Sequence, residues 1–197
     1  MKIRIMSFFA LALTVMPAFA QVTSQPPAQS NCMLTVREIR LGMSLQQLLA
    51  LFPASSKRKE IRDAIDRAKA TTSNETVYLL FEATKDGSRE RFAGIDTVLV
   101  GIYKGQVVDF TVLYIGITWK TVDEWIEKLR EGFGLPSAQG WVVGPNENPT
   151  KILKCKEVEI EAGIQGGSGT IRVRNTENKA MEERKDVGEE KKREFKP

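Results

Sequence analysis

Two β-rich runs, Ala93 to Tyr103 and Gln106 to Ile115, hinge at Lys104-Gly105 and restrict this chain more than any other feature. Glycine in the second turn position tolerates the positive φ that a two-residue hairpin turn requires. Runs this rich in Val, Ile, Leu and Phe need an apolar layer against them. An unbroken ladder from that turn sets Leu99 opposite Phe110 and Val100 opposite Asp109. One face then carries Ile95, Leu99, Val108, Phe110, Val112 and Tyr114. The other carries Val98, Val100, Ile102, Val107 and Leu113, diluted by Asp96, Asp109 and Thr111. One face covers the helices. The second needs its own cover, supplied either by the other half of the chain or by a protein partner. Val98, Val100, Ile102, Val107 and Leu113 are therefore candidate partner-binding residues.

The flanking sequence supplies the helices. Ser44 and Gln47 form a Ser-x-x-Gln capping box, and Leu45, Leu48, Leu49 and Phe52 fall on one helical face before Pro53 stops the helix. Ile61, Ala64, Ile65 and Ala68 predict a second, surface-lying helix over 57–70. Thr76 to Glu82 reads as a strand that precedes the hairpin. The pattern then recurs. Thr121 and Glu124 form a second capping box. Val122, Trp125, Ile126 and Leu129 share a face, and Gly132, Gly134 and Pro136 mark the helix end. Strands are expected at 140–143, 151–164 and 170–175, with a turn at Gln165-Gly166-Gly167-Ser168. That turn sets Glu159 opposite Arg174 and Glu161 opposite Arg172. A bulge near Lys156-Glu157 reconciles the opposed parities of Leu153 and Val158. The reading is α+β: helices packed on an antiparallel β-meander, in two tandem helix-plus-sheet units, 32–116 and 117–175.

The ends read differently. Residues 1–20 have a signal peptide's basic start (Lys2, Arg4), apolar run and Ala18-Phe19-Ala20 cleavage pattern. Residues 21–31 form a polar, Pro-Pro-containing leader, and 176–197 a densely charged tail expected to be disordered. No stretch after residue 20 is long and apolar enough to span a bilayer. The expected location is thus outside the cytoplasm, periplasmic or extracellular. An even cysteine count in such a compartment favours a disulfide between Cys32 and Cys155, with two free thiols as the alternative.

Composition removes several chemistries. The chain has no histidine, so Ser-His-Asp and Cys-His catalysis and histidine-ligated zinc are excluded. Its 29 basic and 25 acidic residues are interspersed, and a net charge of +4 supplies no field for nucleic acid. Ser56-Lys57-Arg58-Lys59 has Ser-x-x-Lys spacing without its companion motifs, so Ser56 reads as the cap of the second helix. Glu157, Glu159 and Glu161 alternate as hard-cation ligands do, but the arginines expected opposite make them a charge ladder. Gly166 to Gly169 lacks the following helix of a phosphate loop. Asn74-Glu75-Thr76 has the spacing of a glycosylation acceptor. No catalytic, cofactor-binding or metal-ligating residue is assigned. Trp119 and Trp141 lie outside regular elements and are either partner-binding anchors or packing between the two units.

The run Leu41-Gly42-Met43-Ser44-Leu45-Gln46-Gln47-Leu48, leading to Phe52-Pro53, resembles the helix entry of small bacterial envelope domains. These are the SmpA/OmlA-type outer-membrane assembly lipoproteins and the β-lactamase-inhibitor-protein-like domains. The resemblance implies a helix pair on an antiparallel sheet, in tandem in the inhibitors, and a binding role. No cysteine follows the cleavage pattern, so the lipoprotein form is not expected. The expected function is a non-enzymatic protein-binding module of the cell envelope or exterior, its partner unknown. The alternative is a proteinaceous inhibitor of an exported hydrolase.

Overall fold

The first helix forms where its cap dictates. In the computed structural model, which describes residues 32, 34–70, 75–116, 118–145 and 149–177, the Ser44 hydroxyl accepts the Gln47 N–H and the Gln47 side chain accepts the Ser44 N–H. Helix α1 (Leu45–Leu51) follows, then a 3-10 turn (Ser55–Lys57) and α2 (Lys59–Ala70). Ser56 lies in that 3-10 turn and donates to the Pro53 carbonyl, so it does not cap α2. Helix α3 (Val122–Phe133) starts at Thr121, whose hydroxyl accepts the Glu124 N–H. The Glu124 carboxylate reaches one residue further back, to the Lys120 N–H. Gly134, at φ 67°, closes α3 in the left-handed conformation that glycine adopts without strain.

Seven antiparallel strands make one sheet: β1 (Val77–Glu82), β2 (Ile95–Tyr103), β3 (Gln106–Tyr114), β4 (Val142–Val143), β5 (Thr150–Lys154), β6 (Val158–Gln165) and β7 (Ser168–Asn175). Their order is β1-β2-β3-β7-β6-β5-β4. Each helix-led stretch ends in a meander, and the last strands of the two meanders, β3 and β7, pair with each other from Asp109–Arg174 to Leu113–Thr170. The fold is α+β, as expected. Residues 155–157 are a tight turn between β5 and β6, where a bulge within one long strand was expected. The Cys155 N–H bonds the Val158 carbonyl, so chain reversal accounts for the parity change there. The Gln165–Ser168 turn forms as read, with Gly166 and Gly167 at positive φ.

All helices bury into one face of this sheet. Leu48, Leu51 and Phe52, then Ile61, Ala64 and Ile65, then Val122, Trp125, Ile126 and Leu129 join a single cluster with the inward residues of the strands. Phe52 stacks between Phe81 and Phe92, at centroid distances of 4.3 and 4.7 Å. Trp125 lies on Gly169 of β7: a Cβ there would sit 2.7 Å from the indole. The indole N–H donates to the Thr170 carbonyl. The resembling run 41–48 docks on the β2–β3 turn, the Gly42 N–H bonding the Val107 carbonyl and the Leu45 N–H the Gly105 carbonyl.

Cys32 and Cys155 form a disulfide across 123 positions, fastening the entry segment to the β5–β6 turn. No helix among the described residues is long and apolar enough to cross a membrane. The expected signal segment 1–20, the leader 21–31, Asn74 and the charged tail beyond residue 177 lie outside the described residues.

A candidate interaction face

Two single-residue irregularities decide what the sheet presents. The pairs Ile102–Val107 and Gly101–Asp109 leave Val108 unpaired, and the pairs Ile95–Tyr114 and Thr97–Leu113 leave Asp96 unpaired. Each extra residue moves the remaining strand to the opposite parity. Phe110, Val112 and Tyr114 therefore join Val98, Val100 and Ile102 on the helix-covered face, with Ile95 brought in beside them. The unbroken ladder expected from the turn is overturned. Val98, Val100, Ile102 and Val107, read from sequence as an uncovered patch, are each at most 1 % exposed and belong to the core. Leu113 alone of that set lies on the other face, half-buried.

Trp141 is also buried, its indole N–H on the Pro136 carbonyl, so it is not an exposed anchor. Trp119 is half-buried and packs 5.3 Å from Trp125. Cys32 and Cys155 are paired. The sequence-derived candidates thus do not converge on one accessible site.

The register builds a different one. On the face away from the helices, one row crosses all seven strands: Leu80, Leu99, Thr111, Arg172, Glu161, Ile152, Val142. A second row beside it runs Tyr78, Gly101, Asp109, Arg174, Glu159, Lys154, and a third runs Glu82, Thr97, Leu113, Thr170, Gly163, Thr150. The three described helices pack on the opposite face, yet part of these rows is closed to solvent as well: Asp109, Glu159 and Ile152 are 5 %, 3 % and 6 % exposed. Tyr78, Leu80 and Leu99 are 40 %, 44 % and 38 % exposed, and Val142 is 54 % exposed at the far margin. Gly101 makes room for Tyr78. A Cβ there would stand 3.1 Å from the Tyr78 ring and 3.3 Å from Asp109.

The middle of the face is an ion-pair ladder. Asp109, 5 % exposed, accepts two bonds from the Arg172 Nε at 3.1 Å and a third from its terminal nitrogen. The Tyr78 hydroxyl adds a long contact to the same carboxylate, 3.4 Å. Arg174 engages Glu159 at 2.5 Å and Glu161 at 3.7 Å. The Asp109 hydrogen bonds raise the Arg172 pKa above its ordinary value, and burial of the guanidinium opposes that rise. The cross-strand ladder read from Glu159, Glu161, Arg172 and Arg174 is therefore present. Glu157 is not part of it, since it lies in the turn before β6 and faces Lys156.

The two margins of the sheet differ from the face. At β1 the Arg58 guanidinium donates to the Leu80 carbonyl and the Glu82 N–H donates to buried Asp86. Arg58 also pairs with Asp86 at 3.0 Å. Side chains thus occupy backbone groups that an added strand would need. The opposite margin, β4, is only two residues long. A cleft of about 480 Å³ lies between the end of α1 and the turn 87–91. The Ser88 hydroxyl, donating to the Leu51 carbonyl, ties its two walls together.

Sequence reasoning missed Tyr78, Leu80, Asp109 and Gly101, and placed Leu99 among core-facing residues. A signal for them existed. Each hairpin strand has one strongly apolar parity and one mixed parity (Thr97, Leu99, Gly101; Asp109, Thr111, Leu113). Only a one-residue shift puts the two apolar sets on the same face.

Comparison with protein-family models, curated proteins and solved structures finds no match for this chain. What the geometry defines is a class: an α+β protein with a seven-stranded antiparallel sheet, helices on one face and an ion-pair ladder with apolar flanks on the other.

Proposed function

We propose that the chain is an exported, non-enzymatic module that binds a protein through the face of the sheet away from its helices. The observation carrying this reading is the juxtaposition of exposed Tyr78, Leu80 and Leu99 with the Arg172–Asp109 pair. Tyrosine and arginine beside aliphatic surface are the composition of protein-binding hot spots. The two guarded margins favour the face over strand addition as the route of binding. The Cys32–Cys155 disulfide supports export, since such bonds persist in oxidising compartments. The lack of any histidine supports a binding role over hydrolytic chemistry.

The test uses Leu80→Glu combined with Leu99→Glu, both on exposed positions, against the unaltered protein in affinity capture from envelope extract. A protein retained by the parent and lost by a variant with the same melting temperature supports the reading. Identical retention by both removes it. The resemblance of run 41–48 to inhibitor-like domains makes an exported hydrolase the first partner to assay, with stoichiometric loss of its activity as the readout.

A further inference from the structure

We infer that the C-terminal segment 178–197 folds back as a helix over the middle of the face opposite α1, α2 and α3, and is the cover of strands β3, β7, β6 and β5 there. The inference goes beyond the reading above and bounds it, since a protein partner is left the margin of Tyr78, Leu80 and Leu99.

Three observations point to this segment. The first is a burial profile. Leu99 on β2 is 38 % exposed and Val142 on β4 is 54 % exposed, while Asp109, Glu159 and Ile152 between them are 5 %, 3 % and 6 % exposed. Pairing within the ladder shields carboxylates, but it does not shield an isoleucine. Ile152 stands outside the core cluster, and its neighbour toward the margin is the exposed Val142. Helices α1, α2 and α3 belong to the cluster on the other face, so the cover of Ile152 comes from another part of the chain. Four strands at about 4.8 Å spacing span roughly 14 Å, close to the width of about 10–12 Å of one helix with its side chains.

The second is where the chain leaves the sheet. Asn175 ends β7, and its side-chain oxygen accepts the Glu177 N–H at 2.8 Å. Thr176 and Glu177 are helical. An asparagine that accepts the N–H of the second helical residue is a helix N-cap. The start is tied down, the Thr176 N–H bonding the Glu157 carbonyl of the β5–β6 turn. Twenty residues follow Glu177. As a helix they span about 30 Å, enough to run the length of β6, whose eight residues span about 25 Å.

The third is the segment's own pattern. Helical spacing puts Ala180, Met181, Arg184, Val187, Lys191 and Phe195 on one side. Glu182, Glu183, Asp186, Glu189 and Glu190 fall on the opposite side. The first side is apolar with two cations along its middle. It matches Ile152 together with Glu159 and Glu161, the two acids that pair with Arg174. The aliphatic stems of Arg184 and Lys191 add to the apolar contact. The leader 21–31 reaches the same turn through the Cys32–Cys155 disulfide, but it holds Pro26-Pro27 and no charged residue, so it lacks both the helix and the cations.

Limited trypsin digestion and hydroxyl-radical footprinting of protein purified from expression of the full chain test this. In the parent, cleavage after Arg184 and Lys191 should be roughly tenfold slower than in a synthetic peptide of residues 178–197. Val187→Glu combined with Phe195→Glu changes no residue of the sheet and should bring cleavage back toward the peptide's rate. Ile152 labelling should rise roughly threefold in that variant, and as much in a chain ending at Glu177. A parent cut at the peptide's rate overturns the inference. So does Ile152 labelling unchanged in the double variant, which assigns its cover to the leader or to residues 146–148. A segment cut at once, in a parent whose Leu80→Glu, Leu99→Glu variant still loses a foreign protein, removes the cover and leaves the binding reading. A protected segment with identical retention by parent and variant removes the binding reading and leaves the cover.

Discussion

The two faces of the sheet are built from alternate residues of the same strands, yet they differ in almost every physical respect. The covered face is continuous hydrocarbon, with Leu79, Val100, Phe110, Val173, Ile160 and Leu153 in one row and aromatic stacking of Phe52 on Phe81 beneath α1. The face away from the described helices is held by charge-assisted bonds between neighbouring strands. Stability should therefore reside in shape on one face and in pairing on the other. On β2 and β3 the sorting of residues between the two faces depends on two unpaired residues, Asp96 and Val108.

The largest effect should come from inserting one alanine between Asp109 and Phe110. The insertion would take the inward place opposite Val100 and turn Phe110 and Val112 out of the core, or force a second bulge beside Val108. Losing two fully buried side chains from the core is a large part of the roughly 5–15 kcal/mol of a typical domain's total stability. The expected outcome is a chain without a cooperative melting transition by circular dichroism. Deleting Val108 is the contrast: it joins Val107 to Asp109, keeps the pairs Ile102–Val107, Gly101–Asp109 and Val100–Phe110, and should leave the melt cooperative. An insertion variant that melts cooperatively near the parent temperature would show that parity along β3 does not fix the faces.

That dependence explains what could be read from the sequence. The Ser44 and Thr121 caps, helices α1 and α3, the Lys104-Gly105 and Gly166-Gly167 turns and the Glu159–Arg174 and Glu161–Arg172 register are local signals and appear where expected, whereas α2 begins at Lys59 without Ser56 as its cap. The face assignment of the hairpin is not local. It depends on counting residues along two strands together, and one extra residue with no distinctive chemistry, the second valine of Val107-Val108, reverses the answer. The β5–β6 turn was obscured in the same way, since parity alone does not distinguish a bulge from a reversal. The pairing of β3 with β7 joins residues about sixty positions apart and has no local signature. The candidate face was therefore hidden even though every residue on it was visible.

Phe52→Ala comes next. Phe52 is fully buried between two rings at the junction of α1 and the sheet, so truncation should cost about 3–5 kcal/mol. Leu99→Ala removes a large side chain from the opposite face, where it is already part-exposed, and should cost well under half of that. Urea unfolding of both variants measures the contrast directly. Equal losses would mean that the second face is as fully covered as the first.

Asp109→Ala should cost about 3 kcal/mol, because it strands the part-buried Arg172 guanidinium without its carboxylate. Replacing both members, Asp109→Leu with Arg172→Met, should recover most of the loss, since an apolar pair of similar volume carries no desolvation debt. If the double variant is no better than the single, the ladder is stabilising through the charges themselves. The comparison of faces would then sharpen to hydrocarbon against net electrostatics.

The last effect appears only at high pH and belongs to Tyr114, at the end of the covered face, where it packs edge-on against Trp125 at 4.9 Å. Burial pushes its phenol up to about 12, against a smaller opposing pull from Arg37. In the unfolded chain the phenol titrates near 10. The folded state therefore holds this proton more tightly. Its contribution is fully present below about pH 10 and is lost as pH rises toward 12. Across that window the parent should lose roughly 2–3 kcal/mol that a Tyr114→Phe variant keeps, while below about pH 9 the difference between them should be constant. Urea midpoints of parent and variant at pH 8, 10 and 11.5 give the answer. Parallel pH profiles would mean that this end of the covered face is as open to water as the face opposite.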